Sequence, residues 1–392
     1  MTRRRRFGRW LLLIFGGLFL LLLLATAVSA IYNTRLPTQS ANPEQLGEAE
    51  KTRAHEVIHL RQTLGNEVWP GWGEADIPLI VYNEGYAFLL NYSQEPGTGW
   101  LEVPDREPHG DVWELVTDDL FAERPYYCQQ LREGESPQAF TVLVGEEWVA
   151  VLPSKEWMKI DLTSEIRDGM PGFLRPVFPY GLFVDQLINS SDHYIALFAH
   201  ESFHAFQGEQ LPGQLAAAEQ ITFVEGQYPW YDDAFIAKWQ TELDLLTAAL
   251  QATTAAEQQE LIRQFLQHRQ ARRRDATFSP DMIRYEQQRE WLEGTAKYVE
   301  LAIWQQAAQT PDYVPLLTGD DDFHAYGRYE QQWQRELAQM GRMADDEGDG
   351  RFYYTGWAQA ALLDTLMPDW KTRYIDGATT LEDLLAEAVQ SE

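Results

Sequence analysis

The 392-residue chain is 45% hydrophobic and 13% aromatic, which excludes an intrinsically disordered protein and supplies apolar surface for one large core or two lobes. Its single cysteine, Cys128, excludes an internal disulfide and a thiolate-built metal site and reads as a packing residue. The formal charge of −29 becomes −34 once the five arginines of the N-terminal MTRRRRFGR are set aside, and a surface so acidic repels nucleic acid and anionic lipid.

In chain order, residues 1–9 form a basic tail and residues 10–30, WLLLIFGGLFLLLLLATAVSA, a charge-free apolar run about long enough to cross a bilayer. Arg3 to Arg6 and Arg9 place the N-terminus in the cytoplasm and the remaining chain outside. ATA at 25–27 and VSA at 28–30 resemble signal-peptidase sites, and cleavage there would give a secreted protein. The apolar run exceeds a usual secretory segment, which favours a retained signal-anchor.

Residues 31–48, polar and with two prolines, read as a linker. Residues 49–182 are expected to form a β-rich N-terminal lobe that opens on a helix over EAEKTRAHEVIHLRQTLG. IPLIVYN and YAFLLNY read as strands, and AFTVLVG with EWVAVLP as a hairpin around Gly145 and Glu146. DVWELVTDDLFAE is expected to be a helix within this lobe. Residues 183–392 are expected to form a helical C-terminal lobe, in which HYIALFAHESFHAFQ is apolar almost all round, as a buried helix should be. FIAKWQTELDLLTAAL, AAEQQELIRQFLQHRQARRR, MIRYEQQREWLEGTAKYVELAIWQQA and AQAALLDTL follow as helices, the last stopped by Pro368. The expected class is α+β.

His-Glu-x-x-His occurs twice, as HEVIH (His55, Glu56, His59) and as HESFH (His200, Glu201, His204). On a helix, positions i and i+4 share a face, so two imidazoles can bind one ion while the intervening Glu stands beside it. Two features of the flanks separate the copies. LFAHESFHAF carries no charge besides Glu201, whereas TRAHEVIHLR has Arg53 and Arg61 close to the would-be ligands and follows a linker like a surface helix. A third ligand is also needed. Glu84, in NEGYA, falls between two strands and reads as a hairpin turn. Glu293, in LEGTA, lies in a helical run where Gly294 asks for a close-packed neighbour, and the helix of the second copy would provide one. HEVIH is therefore expected to be a coincidental match on a half-exposed helix.

With His200, His204 and WLEGTAKY in place, residues from about 190 to 370 resemble the gluzincins, the zinc metallopeptidases that include thermolysin-like and aminopeptidase N-like enzymes. The resemblance implies one Zn²⁺ held by His200, His204 and Glu293, with Glu201 as general base in hydrolysis of a peptide or protein substrate. It implies a zincin-like C-terminal lobe and an oxyanion donor from later in the chain. Tyr354 is the residue expected there, with Tyr353 and His324 as alternatives. Glu300 would support the ligands, and His193 would be structural. Two departures leave the subfamily unassigned: the stretch between His204 and Glu293 is longer than in the aminopeptidases, and Lys297 stands where thermolysin-like enzymes carry an aspartate. The other function classes are a zincin-like protein that is inactive or not a peptidase, and a binding or scaffold protein at the cell envelope.

Overall fold

A computed structural model describes residues 2–390 except 105, 133–134, 136, 138–139, 189 and 376–378; for 2–14 and 375 it describes backbone alone. The basic side chains of Arg3 to Arg6 and Arg9 thus lie outside the described residues. Helix α1 (Thr2–Asn33) contains a 19-residue apolar window, Phe15–Asn33, with mean hydropathy 2.2 and none of it buried, so it can serve as a membrane span or as a signal sequence.

After α2 (Glu48–Val68), eight strands among the described residues form one strongly curled sheet: β1 (Leu79–Tyr82), β2 (Tyr86–Leu90), β3 (Thr98–Leu101), β4 (Pro108–Val112), β5 (Glu114–Leu115), β6 (Tyr127–Gln130), β7 (Phe140–Val144) and β8 (Glu147–Pro153). Their order is β4-β3-β7-β8-β1-β2-β6-β5, antiparallel throughout except for β1 beside β8. The sheet nearly closes, because the backbone N–H of Asp111 in β4 donates to Gln129 Oε1 in β6 at 2.8 Å. Two expected turns are present. Gly145, at φ +62, makes the β7–β8 turn. Asn83 Oδ1 accepts from the N–H groups of Gly85 and Tyr86 at the β1–β2 turn. Glu84, beside that turn, accepts from the backbone and hydroxyl of Ser40 and so holds the linker.

The expected helix over DVWELVTDDLFAE is not formed; this stretch supplies the end of β4 and all of β5. Trp113 is buried, its indole N–H donating to the Gly99 carbonyl at 2.9 Å, and β5 pairs with β6. Tertiary pairing overrides the local helix signal here, since a buried indole needs an acceptor that a local helix does not provide. Cys128 lies half-buried in β6.

The helical part comprises α3 (Lys155–Gly169), α4 (Tyr180–Leu187), α5 (Ser191–Gln210), α6 (Pro212–Gln220), a 3₁₀ turn (Ile221–Gln227), α7 (Asp233–Gln251), α8 (Ala255–Asp275), α9 (Pro280–Arg289), a π turn (Glu290–Gly294), α10 (Thr295–Gln309), α11 (Tyr329–Met340), α12 (Gly350–Leu366), α13 (Trp370–Ile375) and α14 (Leu381–Ala388). Helix α5 is central, with β8 and β7 along one side and α10 and α2 along the other. The larger of two hydrophobic clusters among the described residues runs from α2 and the sheet through α5 to α14, across the expected lobe boundary, and the smaller lies on the other face of the sheet.

Helix α2 is far more buried than its charged residues suggest. Arg61 is 1% and Glu56 0% exposed. The Glu56 carboxylate accepts from the hydroxyls of Tyr313 and Tyr326, both at 2.7 Å, and from the backbone N–H groups of Leu316 and Leu317. Arg53 pairs with Glu50 and Asp320. The surface-helix expectation is corrected on this point: each charge has an internal partner, which is what makes its burial tolerable. His55 and His59 remain half-buried.

Candidate metal centre

A single turn of α5 stacks His200 over His204, and their Nε2 atoms lie 3.1 Å apart. Glu293 Oε2, from the π turn, lies 3.6 Å from His200 Nε2 and 3.3 Å from His204 Nε2. Ligands at about 2.0–2.1 Å from a tetrahedral ion stand roughly 3.3 Å from one another, so these separations fit one metal ion. All three side chains are at least 96% buried, at 2%, 1% and 4% exposure.

The surrounding hydrogen bonds determine which ring nitrogens face the centre. Gln207 Nε2 donates to the carbonyls of Trp291 and Leu292 and to Thr295 Oγ1, so Gln207 Oε1 is the acceptor facing His204 Nδ1 at 2.9 Å. His204 therefore carries its proton on Nδ1 and presents a lone pair on Nε2. The His200 Nδ1 atom lies 3.3 Å from Glu300 Oε2, close in distance though not well aligned for a hydrogen bond. A carboxylate can only accept, so His200 also turns its Nε2 lone pair inward. Two lone pairs and Glu293 Oε2, a buried oxygen without a hydrogen-bond partner, thus converge on one point. Only a cation relieves that arrangement. Without a metal the cation is a proton: burial opposes it, but the adjacent Glu293 and Glu300 carboxylates raise His200 to about 10.

The π turn is what aims Glu293. It widens the helix by one residue, and the carbonyls this frees at Trp291 and Leu292 are taken up by Gln207 and Thr295. Arg289, one turn earlier, donates to Glu293 Oε1 at 3.0 Å and leaves Oε2 for the centre. Burial alone would raise Glu293, but His204, His200 and Arg289 outweigh it and hold the carboxyl well below the usual carboxylate range. Gly294 has its packing neighbour, though not in α5: a Cβ there would lie 2.4 Å from Gly356 Cα of α12. Gly356→Ala, whose Cβ would sit 2.6 Å from Gly294 Cα and 2.7 Å from the Glu290 carbonyl, is expected to destabilise the fold by about 1–3 kcal/mol. A lowered thermal midpoint checks this, and an unchanged one would contradict the close packing.

Glu201 stands beside the ligands at 7% exposure, and its Oε2 is buried with no protein partner. Burial raises its pKa, opposed by His200 and His204. Tyr353 stacks on the His200 ring, with centroids 5.6 Å apart and planes 11° apart, and its hydroxyl lies beside Glu293 and Glu201. Tyr354 faces elsewhere: its hydroxyl donates to Glu336 at 2.7 Å, because adjacent helical residues point about 100° apart. Tyr354, expected at the centre, thus points away from it, and Tyr353 is the tyrosine beside the ligands. His324 uses its backbone N–H to cap Asp192 at the start of α5. His193 is half-buried, its ring centroid 6.3 Å from that of Trp304. Lys297, in the place of the thermolysin-like aspartate, bonds Glu300 at 2.7 Å and Glu336 at 3.2 Å and so neutralises the carboxylate behind His200.

At the first motif, His59 stacks on Tyr313 and His55 sets its edge on Phe121, while Glu56 is consumed by its four donors. No metal-ligating group assembles there among the described residues. Glu102, Glu107 and His109 do come together at the β3–β4 connection, but there both glutamates are exposed and His109 is half-buried. Gln207 was not foreseen, and its position three residues past His204 was the available signal.

The site is thus a buried centre of two histidines and one glutamate that can hold a metal ion, with a free carboxylate beside it. Comparison with family models, with curated proteins and with solved structures finds no match.

Proposed function

We propose that the protein is a zinc metallopeptidase, anchored in the membrane by α1, with its N-terminus cytoplasmic and its globular part outside. The observation that carries this reading is the unpartnered, buried Glu201 carboxylate beside the converging lone pairs of His200 and His204 and the Glu293 oxygen. Two imidazoles and one carboxylate suit zinc and also iron(II). Glu201 favours hydrolysis, because a carboxylate at that position is the general base that hydrolysis needs.

Zinc, when bound by His200, His204 and Glu293, supplies Lewis acidity that lowers the pKa of water and polarises a carbonyl oxygen. Glu201 accepts the proton of the attacking water and passes it to the leaving amine. The stacking of Tyr353 on His200 supports its hydroxyl as the donor to the developing oxyanion. Gln207 holds His204 in the ligating tautomer, the Glu300 carboxylate lies behind His200 Nδ1 and favours the same tautomer there, and Arg289 holds Glu293. The arginines preceding the apolar run orient α1 by the positive-inside rule.

The test is cleavage of a peptide library by the purified full chain. Hydrolysis should be lost on chelation and restored by zinc. Hydrolysis that persists in chelator, or returns with iron(II) and not with zinc, would contradict the reading.

A further inference from the structure

The membrane helix does not leave the globular part at a bare linker. Asn33, at its C-terminal end, donates from its side-chain amide to the carbonyls of Pro176 and Phe178, at 3.1 and 2.8 Å. The Tyr32 ring packs on Gly181 so closely that a Cβ there would lie 2.7 Å from it. These contacts tie α1 to the segment FLRPVFPYGLFVDQL, residues 173–187, which includes α4.

That segment exposes large apolar side chains on the side away from the core, among the polar Arg175, Asp185 and Gln186. Tyr180, Val184 and Ile188 are buried. Phe173 at 78%, Leu182 at 75%, Leu187 at 57% and Phe183 at 48% are exposed. A soluble surface helix carries polar residues opposite its buried stripe, whereas α4 has Leu182 there beside Gln186, with Phe183 and Leu187 exposed on its flank. So many large exposed apolar side chains in one short segment mark a contact surface.

We propose that residues 173–187 lie in the interface of the same bilayer that α1 spans, with Phe173, Leu182, Phe183 and Leu187 set among the lipid acyl chains. Continuity decides the occupant. The apolar surface begins where the membrane span ends, and Tyr32 stands at the level where aromatic residues mark the membrane boundary. Attraction to anionic lipid cannot be the cause, because the chain carries a formal charge of −29. The contact is an apolar one. It would hold the globular part in a fixed pose against the membrane, and it rests on the anchored reading of α1.

The experiment uses the full chain with Cys128→Ser, reconstituted into phosphatidylcholine vesicles. A nitrobenzoxadiazole label is placed in turn at Leu20→Cys, Phe173→Cys, Leu182→Cys and Phe223→Cys. Phe223 is 66% exposed but follows the far end of α5, about 30 Å along that helix from α4. Labels at 173 and 182 should be blue-shifted and lose emission to spin-labelled lipid as the label at 20 does, at low and high salt alike, while the label at 223 is unaffected. Loss at 20 without loss at 173 and 182 would overturn this proposal and leave the anchor standing. No loss at 20 would overturn both. A blue shift at 173 and 182 without lipid quenching would mean that protein covers the patch, and equal quenching at 223 would mean unspecific adhesion; either overturns the proposal.

Discussion

Replacing Glu201 by glutamine is expected to lower the proposed hydrolysis by about 10²–10⁴-fold while leaving the metal content unchanged. Glutamine keeps the size of the side chain and removes its capacity to accept a proton. The Glu201 Oε2 atom has no protein hydrogen bond to lose, so the substitution should not disturb the fold. The ligands keep their own supports in Glu300, Gln207 and Arg289. Hydrolysis rates with metal analysis of the same sample check the prediction. Full activity in Glu201→Gln would remove Glu201 from the mechanism.

His200→Ala is expected to abolish stoichiometric metal binding and to lower the stability of the metal-loaded protein markedly. Two effects add. The metal-linked stabilisation is lost, about 4 kcal/mol for an ion present at a thousand times its Kd. The ring is also removed from a buried, packed position against Tyr353, and such a cavity costs about 2–5 kcal/mol, while Glu293 and Glu300 keep Arg289 and Lys297 as partners. His55→Ala, at a half-buried ring set against Phe121, should keep the metal. Metal content and thermal midpoints of both variants decide. Metal lost from His55→Ala and kept in His200→Ala would reverse the assignment of the site.

What could be read from the residues depended on whether the determining interaction was local. HESFH in an uncharged apolar helix and the turns at Asn83 and Gly145 are local patterns, and the structure has them. The supports of the centre are not local. The π turn runs through EWLEG, where ordinary helix formers give no sign of a widened turn, and its stability comes from Gln207 on another helix. Gly294 asked for a close neighbour, but nothing nearby in the chain indicated Gly356 rather than α5. The burial of α2 was hidden for the opposite reason: Arg53, Glu56 and Arg61 look like surface charges, and their partners Asp320, Tyr313, Tyr326 and Trp72 lie elsewhere in the chain. Tyr353 and Tyr354 differ only in helical phase, which depends on where α12 begins.

The central claim is that one zinc ion sits between His200, His204 and Glu293. Anomalous scattering collected on both sides of the zinc edge, from crystals of the full chain grown with zinc, tests it most directly. The expected result is a single strong peak at about 2.0–2.2 Å from His200 Nε2, His204 Nε2 and Glu293 Oε2. No peak there, or a peak at His55 and His59 or at Glu102, Glu107 and His109 in its place, would contradict it.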